Sequence, residues 1–324
     1  MTQLQTVVKT PRRTFDPLDY GQGVMSLGSC FSEHIGAMLR DAGHSIVINP
    51  FGIQYNPLSI LRSLMRLMEH RAYTLDELIE HDGLFHSFDH HGAYSSADPD
   101  RALSLINADY ERAMQALSKT SFLLLTWGTA FVYYLKEGSR VVNNCHKLPD
   151  YYFQRRLLSV GELVAPWQDM LGTLLAKCPE LQIITTISPV RHLRDGAHGN
   201  QLSKATLMLM NEELHKLFPD RIHYFPAYEI VQDELRDYRF YAEDMLHPTA
   251  QTARIVGDRF VQWACSPECL EAMTHLARLR SEYQHRPLHA DHPEADLRRE
   301  QLLVRLRAFE RRFPEADLSS WFSD

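Results

Sequence analysis

Two short segments carry residue types that could do covalent chemistry. Gly28-Ser29-Cys30 sets a hydroxyl and a thiol side by side after the apolar run Val24–Gly28. If that run is a strand and a helix follows, the helix N-terminus can polarise a hydroxyl or lower a thiol pKa. Its free N–H groups can also hold a developing oxyanion. The same residues suit a plainer arrangement, a small buried thiol beside a serine that caps the helix. Asp244-x-x-His247-Pro248 has a different logic. An acid and an imidazole three apart on one turn reach each other, so the carboxylate fixes the tautomer while the other ring nitrogen faces a nucleophile. An aspartate capping the next helix beside an ordinary histidine fits that spacing as well.

The remaining candidates are mostly histidines. His86, His90 and His91 fall within six positions, and His146 follows Cys145. Imidazole and thiolate suit zinc, and a metal-dependent hydrolase using this segment is the weakest of three readings. Neither Cys-x-x-Cys nor His-Glu-x-x-His spacing occurs, and a chain with 17 histidines clusters some by chance. No metal is therefore expected, and His86 and His146 are read as polar substrate contacts. Arg191-His192 could bind a substrate carboxylate or phosphate, or could serve as a salt bridge and a helix-entry contact. Without a Gly-x-Gly-x-x-Gly or Walker-type loop, no nucleotide cofactor is indicated. Trp127, Phe131, Tyr133 and Tyr134 could wall an apolar acyl slot or pack a core.

The elements that must position these residues follow from the alternation of short apolar runs with longer amphipathic stretches, the pattern of a parallel sheet with crossover helices. Five strands are expected at Val24–Gly28, Ser45–Asn49, Ser121–Trp127, Gln182–Ser188 and Arg221–Phe225. Helical patterns occupy about 32–42, 57–70, 98–119, 160–178, 201–218 and 249–264, with Pro57, Asp98 and Ser203 in start positions. Two insertions interrupt them: a polar, His- and Asp-rich excursion at Thr74–Ala97 and a β-hairpin at Phe131–Asn144 turning at Glu137-Gly138-Ser139. In an open parallel sheet ligands bind at the carboxyl ends of the strands. There the chain places Ser29-Cys30, Gly52, Gly128-Thr129, Arg191-His192 and, beyond the last strand, Asp244 and His247.

These residues resemble a known family. Leu27-Gly28-Ser29-Cys30-Phe31-Ser32 is similar to the signature of the GSCFA family, with Ser32 where the motif usually has Ala. The resemblance extends to Pro50–Pro57, Leu84–Phe88, Trp127–Ala130, Asn144–Pro149 and Ser188–His192, and covers roughly residues 20 to 265. It implies a relation to the SGNH (GDSL-type) hydrolases: a flavodoxin-like α/β/α sandwich of esterases, lipases and acyltransferases. In that register Gly28 matches the first-block Gly, Ser29 falls on its Asp, and Cys30 falls on its nucleophilic Ser. Gly52 matches the glycine whose N–H helps form the oxyanion hole, and Asp244 and His247 match the last block without a gap. The third block is here Gly128-Thr129-Ala130-Phe131, so its oxyanion-hole Asn is missing; Asn144 is the nearest candidate to replace it. Register favours Cys30 as nucleophile, while the chemistry of related esterases favours a hydroxyl and keeps Ser29 in play. A thioester on Cys30 would be open to aminolysis as well as hydrolysis.

Composition sets the outer limits. The chain has 324 residues with 44% hydrophobic and 23% charged, an ordinary globular balance. Lys and Arg number 34 against 41 Asp and Glu, a net charge of −7, so no global field attracts nucleic acid or an anionic membrane. An odd count of five cysteines reads as reduced thiols in the cytoplasm, and the N-terminal stretch is not read as a signal peptide. No run approaches the ~20 apolar residues of a membrane span. After about residue 266 the pattern changes: Leu302, Leu306, Phe309 and Phe313 line one helical face amid nine arginines offset by eleven acids. The expected protein is thus an SGNH-like three-layer α/β/α domain over 15–265, its five-stranded parallel sheet in order 2-1-3-4-5, with a helical C-terminal extension over 266–324. It is expected to hydrolyse or transfer the acyl group of a small-molecule ester through a covalent acyl-enzyme. The rival is a catalytically degenerate domain that binds an acylated ligand or a partner.

Overall fold

The computed structural model describes residues 6–284 and 293–321. Its core is set by strands that are apolar on both faces. β1 (Gly23–Gly28), β2 (Ile46–Ile48), β5 (Thr120–Trp127), β9 (Gln182–Ile187) and β10 (Ile222–Tyr224) pair in parallel as β2-β1-β5-β9-β10. Numbered among themselves, these five strands read 2-1-3-4-5. Successive side chains on a strand point to opposite faces, and the two cores divide accordingly. Leu123 and Leu125 join one cluster with Met25, Leu27 and Ile183. Phe122 and Leu124 join the other with Val24 and Ile184. Two-sided burial is what makes these runs continuously hydrophobic rather than alternating.

Helices close both faces. α2 (Pro57–Met68), α3 (Pro99–Leu117), α4 (Val160–Lys177) and α5 (Gly196–Leu217) supply Leu64, Tyr110, Trp167 and Leu207 to the first core. α1 (Cys30–Asp41) and α7 (Ala250–Ala264) supply Phe31, Ile35, Val256 and Phe260 to the second, together with α6 (Ala227–Glu229) and the π-type turn that continues it. Local chemistry fixes several starts. Asn56 and Asp98 accept backbone N–H groups ahead of Pro57 and Pro99, and Ser159 with Glu162 forms a capping box. One expected start is corrected: α5 begins at Gly196, not near Ser203, because the Ser203 hydroxyl is spent on tertiary bonds to Thr129 and the Ala130 N–H.

Both insertions carry strands. The first holds a hairpin of β3 (Ile79–His81) and β4 (Leu84–His86). The second holds β6 (Phe131–Leu135) and β7 (Val141–Val142), extended into a three-stranded sheet by β8 (Phe153–Leu157). The sequence reading missed β8, whose central Gln-Arg-Arg lacks an apolar run; only Phe153 of this strand is buried. At the C-terminal end α8 (Pro267–Gln284) and α9 (Pro293–Arg312) enclose a small third core of Leu276, Leu279, Leu302, Leu306 and Phe309. Cys269 and Met273 of α8 belong to the second core, so α8 is seated on the sandwich itself. Among the described residues, no helix is long and apolar enough to cross a membrane.

Candidate active site

β1 hands the chain to α1 through a turn only glycine accommodates. Gly28 has φ +147°, and a Cβ there would meet the Thr126 carbonyl oxygen at 2.4 Å. Asn49 pins this turn by accepting the Gly28 N–H at 2.9 Å. The two rival nucleophiles then diverge. Ser29 takes the cap position, is 1% exposed, and its hydroxyl has no hydrogen-bond partner. Cys30 is the first helical residue and reaches solvent. The backbone amides of Cys30 and Phe31 act on its sulfur. These amides favour the thiolate, but burial outweighs them and Glu33 adds to the penalty, so the thiol sits above its ordinary pKa. The depressed thiol expected from a helix start is therefore corrected.

Tyr55 lies in the field of Cys30, and His192 lies against Tyr55. Gly128 lies so close to the Tyr55 backbone that a Cβ would meet its carbonyl oxygen at 2.8 Å. That carbonyl accepts the N–H groups of both Gly128 and Thr129 at 2.8 and 2.9 Å. The Tyr55 phenol is raised by burial and then by Cys30 and Glu33. Its ring meets His192 edge-on with centroids 5.3 Å apart. His192 Nε2 is buried without a partner. Burial, followed by Lys204 and His247, pushes this imidazole down to about 4, so it is neutral near pH 7.

Lys204 of α5 went unnoticed in the sequence, yet it sits at the centre of this edge. It is 1% exposed, and its ammonium donates 2.7 Å bonds to the carbonyls of Gly128 and Ser188, which follow β5 and β9. Burial lowers its pKa to about 7, against which the Cys30 charge pulls upward. A readable signal existed: Lys204 occupies the face of α5 that carries Leu207, Met210 and Leu214. A cation on an apolar stripe needs a partner, and here the partners are strand ends.

The Asp244–His247 motif forms a closed turn on an exposed loop before α7. Asp244 Oδ1 accepts the N–H groups of Leu246 and His247, both at 2.9 Å, and Oδ2 lies 2.5 Å from His247 Nδ1. Those bonds, led by the His247 N–H, hold the Asp244 carboxyl down to about 2. Met245 completes the turn at φ +59°. His247 is the more exposed member, and His192 feels its charge.

Several expected contacts are committed elsewhere. The Gly52 N–H donates to the Asn49 carbonyl at 2.7 Å, so it is not held free for an oxyanion. Thr129 bonds Ser203 through its hydroxyl, which also accepts the Phe131 N–H. Asn144 caps the N–H of His146 with its side-chain oxygen at 2.9 Å rather than serving the Gly128 edge. His146 Nε2 donates to the Ser87 carbonyl oxygen at 2.8 Å, and the ring stacks on His86 with centroids 4.4 Å apart. Both ring nitrogens of His86 are used, by Ser95 and the His81 carbonyl. Arg191 is held by Gln232 Oε1. Thus Cys30, Gly28, Gly128 and His192 gather with Lys204 and Tyr55, while Asn144, His146 and His86 brace the insertions. A surface groove of about 1030 Å³ is lined by His34, Met38, Arg254 and Met273 and includes none of the gathered residues. Among the described residues, no group of three His, Cys, Asp or Glu ligand atoms converges at this edge.

Solved structures similar to this chain include a family two carbohydrate esterase from Clostridium thermocellum in complex with cellohexaose. The two are 12% identical with a TM-score of 0.38, covering 76% of this chain and 64% of that one. An acetyl xylan esterase from Butyrivibrio proteoclasticus gives 10% identity, a TM-score of 0.37 and the same 76% and 64% coverage. A carbohydrate esterase family 3 protein from Talaromyces cellulolyticus gives 11%, 0.32, 78% and 99%. This chain spans just under two-thirds of the first two. No curated protein matches it. The model of the GSCFA family matches residues 23–260, from the first strand into the helix that follows the Asp244–His247 turn, and the chain belongs to that family.

Proposed function

We propose that this protein is an ester hydrolase or acyltransferase working through a thioester on Cys30, with His247 as general base and Asp244 as its orienter. The observation that carries the reading is the divergence at the β1–α1 turn. Cys30 is presented part-exposed at the helix start, while Ser29 is sealed inside. A thiol held above its ordinary pKa is protonated at rest, so attack needs a base. His247 Nε2 would take the Sγ proton as sulfur adds to the acyl carbonyl, then return it to the leaving oxygen. The N–H groups of Cys30 and Phe31 are the donors for the oxyanion. Water or an amine then resolves the thioester. The substrate class is a small acyl ester with its acceptor, and the setting is the cytoplasm, where five free thiols stay reduced.

A second reading has its own support. The N–H groups of Gly52, Gly128 and Thr129 are all occupied, which fits a domain that binds an acylated ligand without turning it over. Incubation with an aryl acetate, and separately with iodoacetamide or a fluorophosphonate, followed by peptide mass spectrometry, tests both. Turnover with an acyl adduct on Cys30 supports the enzyme. Absence of turnover and adduct with retained ligand binding supports the rival.

A further inference from the structure

Away from the strand edge, two segments far apart in sequence converge where α7 meets α8. Cys265 follows α7, Cys269 lies in the first turn of α8, and His44 lies between α1 and β2. Their Sγ and imidazole nitrogen atoms all lie within 4.8 Å of one another. Each residue is buried, at 2%, 2% and 1% exposure. Cys269 Sγ and His44 Nε2 are 3.6 Å apart. With metal–sulfur and metal–nitrogen bonds of ~2.3 and ~2.0 Å, the edge of a zinc tetrahedron between these two atoms spans ~3.6 Å. These two atoms therefore already stand at vertex spacing.

We propose that His44, Cys265 and Cys269 form a buried structural site for a tetrahedral thiophilic cation of the zinc type. Charge favours it: two thiolates and a neutral imidazole around a divalent ion sum to zero, the condition for burial at low cost. Asp19 is the acid whose charge reaches both cysteines. One of its carboxylate oxygens accepts from Ser266, the residue after Cys265. Burial removes the competing water, and the three ligand atoms face one another inside the protein rather than across its surface. The site would clasp the N-terminal arm to the sandwich, because Leu18 bridges to Cys265 and donates to the Ala264 carbonyl. It uses none of the residues proposed for catalysis.

The test uses the full chain, purified under reductant without chelator or histidine tag. Elemental analysis is expected to find about one zinc per chain. After stripping, Co²⁺ is expected to produce a thiolate-to-cobalt charge-transfer band that Zn²⁺ abolishes. That band should vanish in Cys265→Ser and in Cys269→Ser but persist in Cys30→Ala. Iodoacetamide should modify Cys265 and Cys269 only in stripped protein. Absence of both stoichiometric metal and the cobalt band in reduced wild-type chain overturns the proposal. So does a band that survives the double substitution, or a Cys265–Cys269 disulfide found where metal was expected.

Discussion

His247 Nδ1 lies 2.5 Å from Asp244 Oδ2, and the other carboxylate oxygen of Asp244 holds the His247 backbone N–H. One acid thus fixes both the ring and the chain of its histidine, leaving Nε2 as the free nitrogen. If His247 is the base, His247→Ala should lower acyl-ester kcat about 10²–10⁴-fold, the usual contribution of a general base. Asp244→Asn should fall between wild type and that variant, because it keeps the turn but loses the tautomer preference. Steady-state kinetics with circular dichroism as a folding control checks this. Near-normal turnover by His247→Ala removes the residue from the mechanism.

The nucleophile is tested through its pH dependence. Burial holds the Cys30 thiol above its ordinary value, so its thiolate fraction at pH 7 is small and grows about tenfold per pH unit until the pKa is passed. Alkylation of Cys30 by iodoacetamide should therefore be slow at pH 7 and accelerate steadily beyond pH 9. Peptide mapping of the labelled chain gives the rate. Cys30→Ala should abolish the acyl adduct, whereas Ser29→Ala, which removes a hydroxyl with no hydrogen-bond partner, should retain it. A plateau in alkylation below pH 8 contradicts the raised thiol.

The sheet and the β1–α1 turn were legible in the sequence because both leave local marks. Strands buried on two faces read as continuous apolar runs, and Gly28 is the residue a φ of +147° demands. The Asp244–His247 contact was legible for the same reason, since a three-residue spacing closes on itself. The oxyanion donors were not. Whether the Gly52 N–H is free depends on where the Asn49 carbonyl points, a tertiary outcome that no spacing reports. Asn144 likewise finds its partner two residues away, at the His146 N–H, before it can serve a distant strand. Lys204 was hidden by separation: its two carbonyl partners lie 76 and 16 residues earlier in the chain.

Backbone crowding at the turn predicts a stability effect. Gly28→Ala must place a Cβ 2.4 Å from the Thr126 carbonyl oxygen and adopt a φ that L-residues avoid. Since the obstacle is the backbone of a central strand, relief requires moving β5. A loss of roughly 1–3 kcal/mol from the dihedral alone, with overpacking of similar size in addition, is expected. Urea unfolding measures it. A variant within about 0.5 kcal/mol of wild type would show that the turn relaxes freely.

Lys204 makes the most distinctive prediction, because its buried ammonium links stability to pH in an unusual window. Its folded pKa is lowered to about 7, and the ordinary value is 10.5. Between those limits the unfolded chain binds more protons than the folded one, so the lysine's contribution to stability rises with pH. Below about pH 7 both states carry the proton and the contribution is flat at its least favourable level. Lys204→Met removes this titration but strips the Gly128 and Ser188 carbonyls of a donor, at roughly 1–3 kcal/mol for each buried group left unpaired. The stability difference between wild type and Lys204→Met should therefore widen from pH 7 to pH 9.5. Taking the difference cancels the tyrosines, whose raised values act near the upper end of that range. Paired urea titrations across the window read it directly. A difference that stays constant would mean that Lys204 keeps its proton throughout, and that the two carbonyls pay fully for its burial.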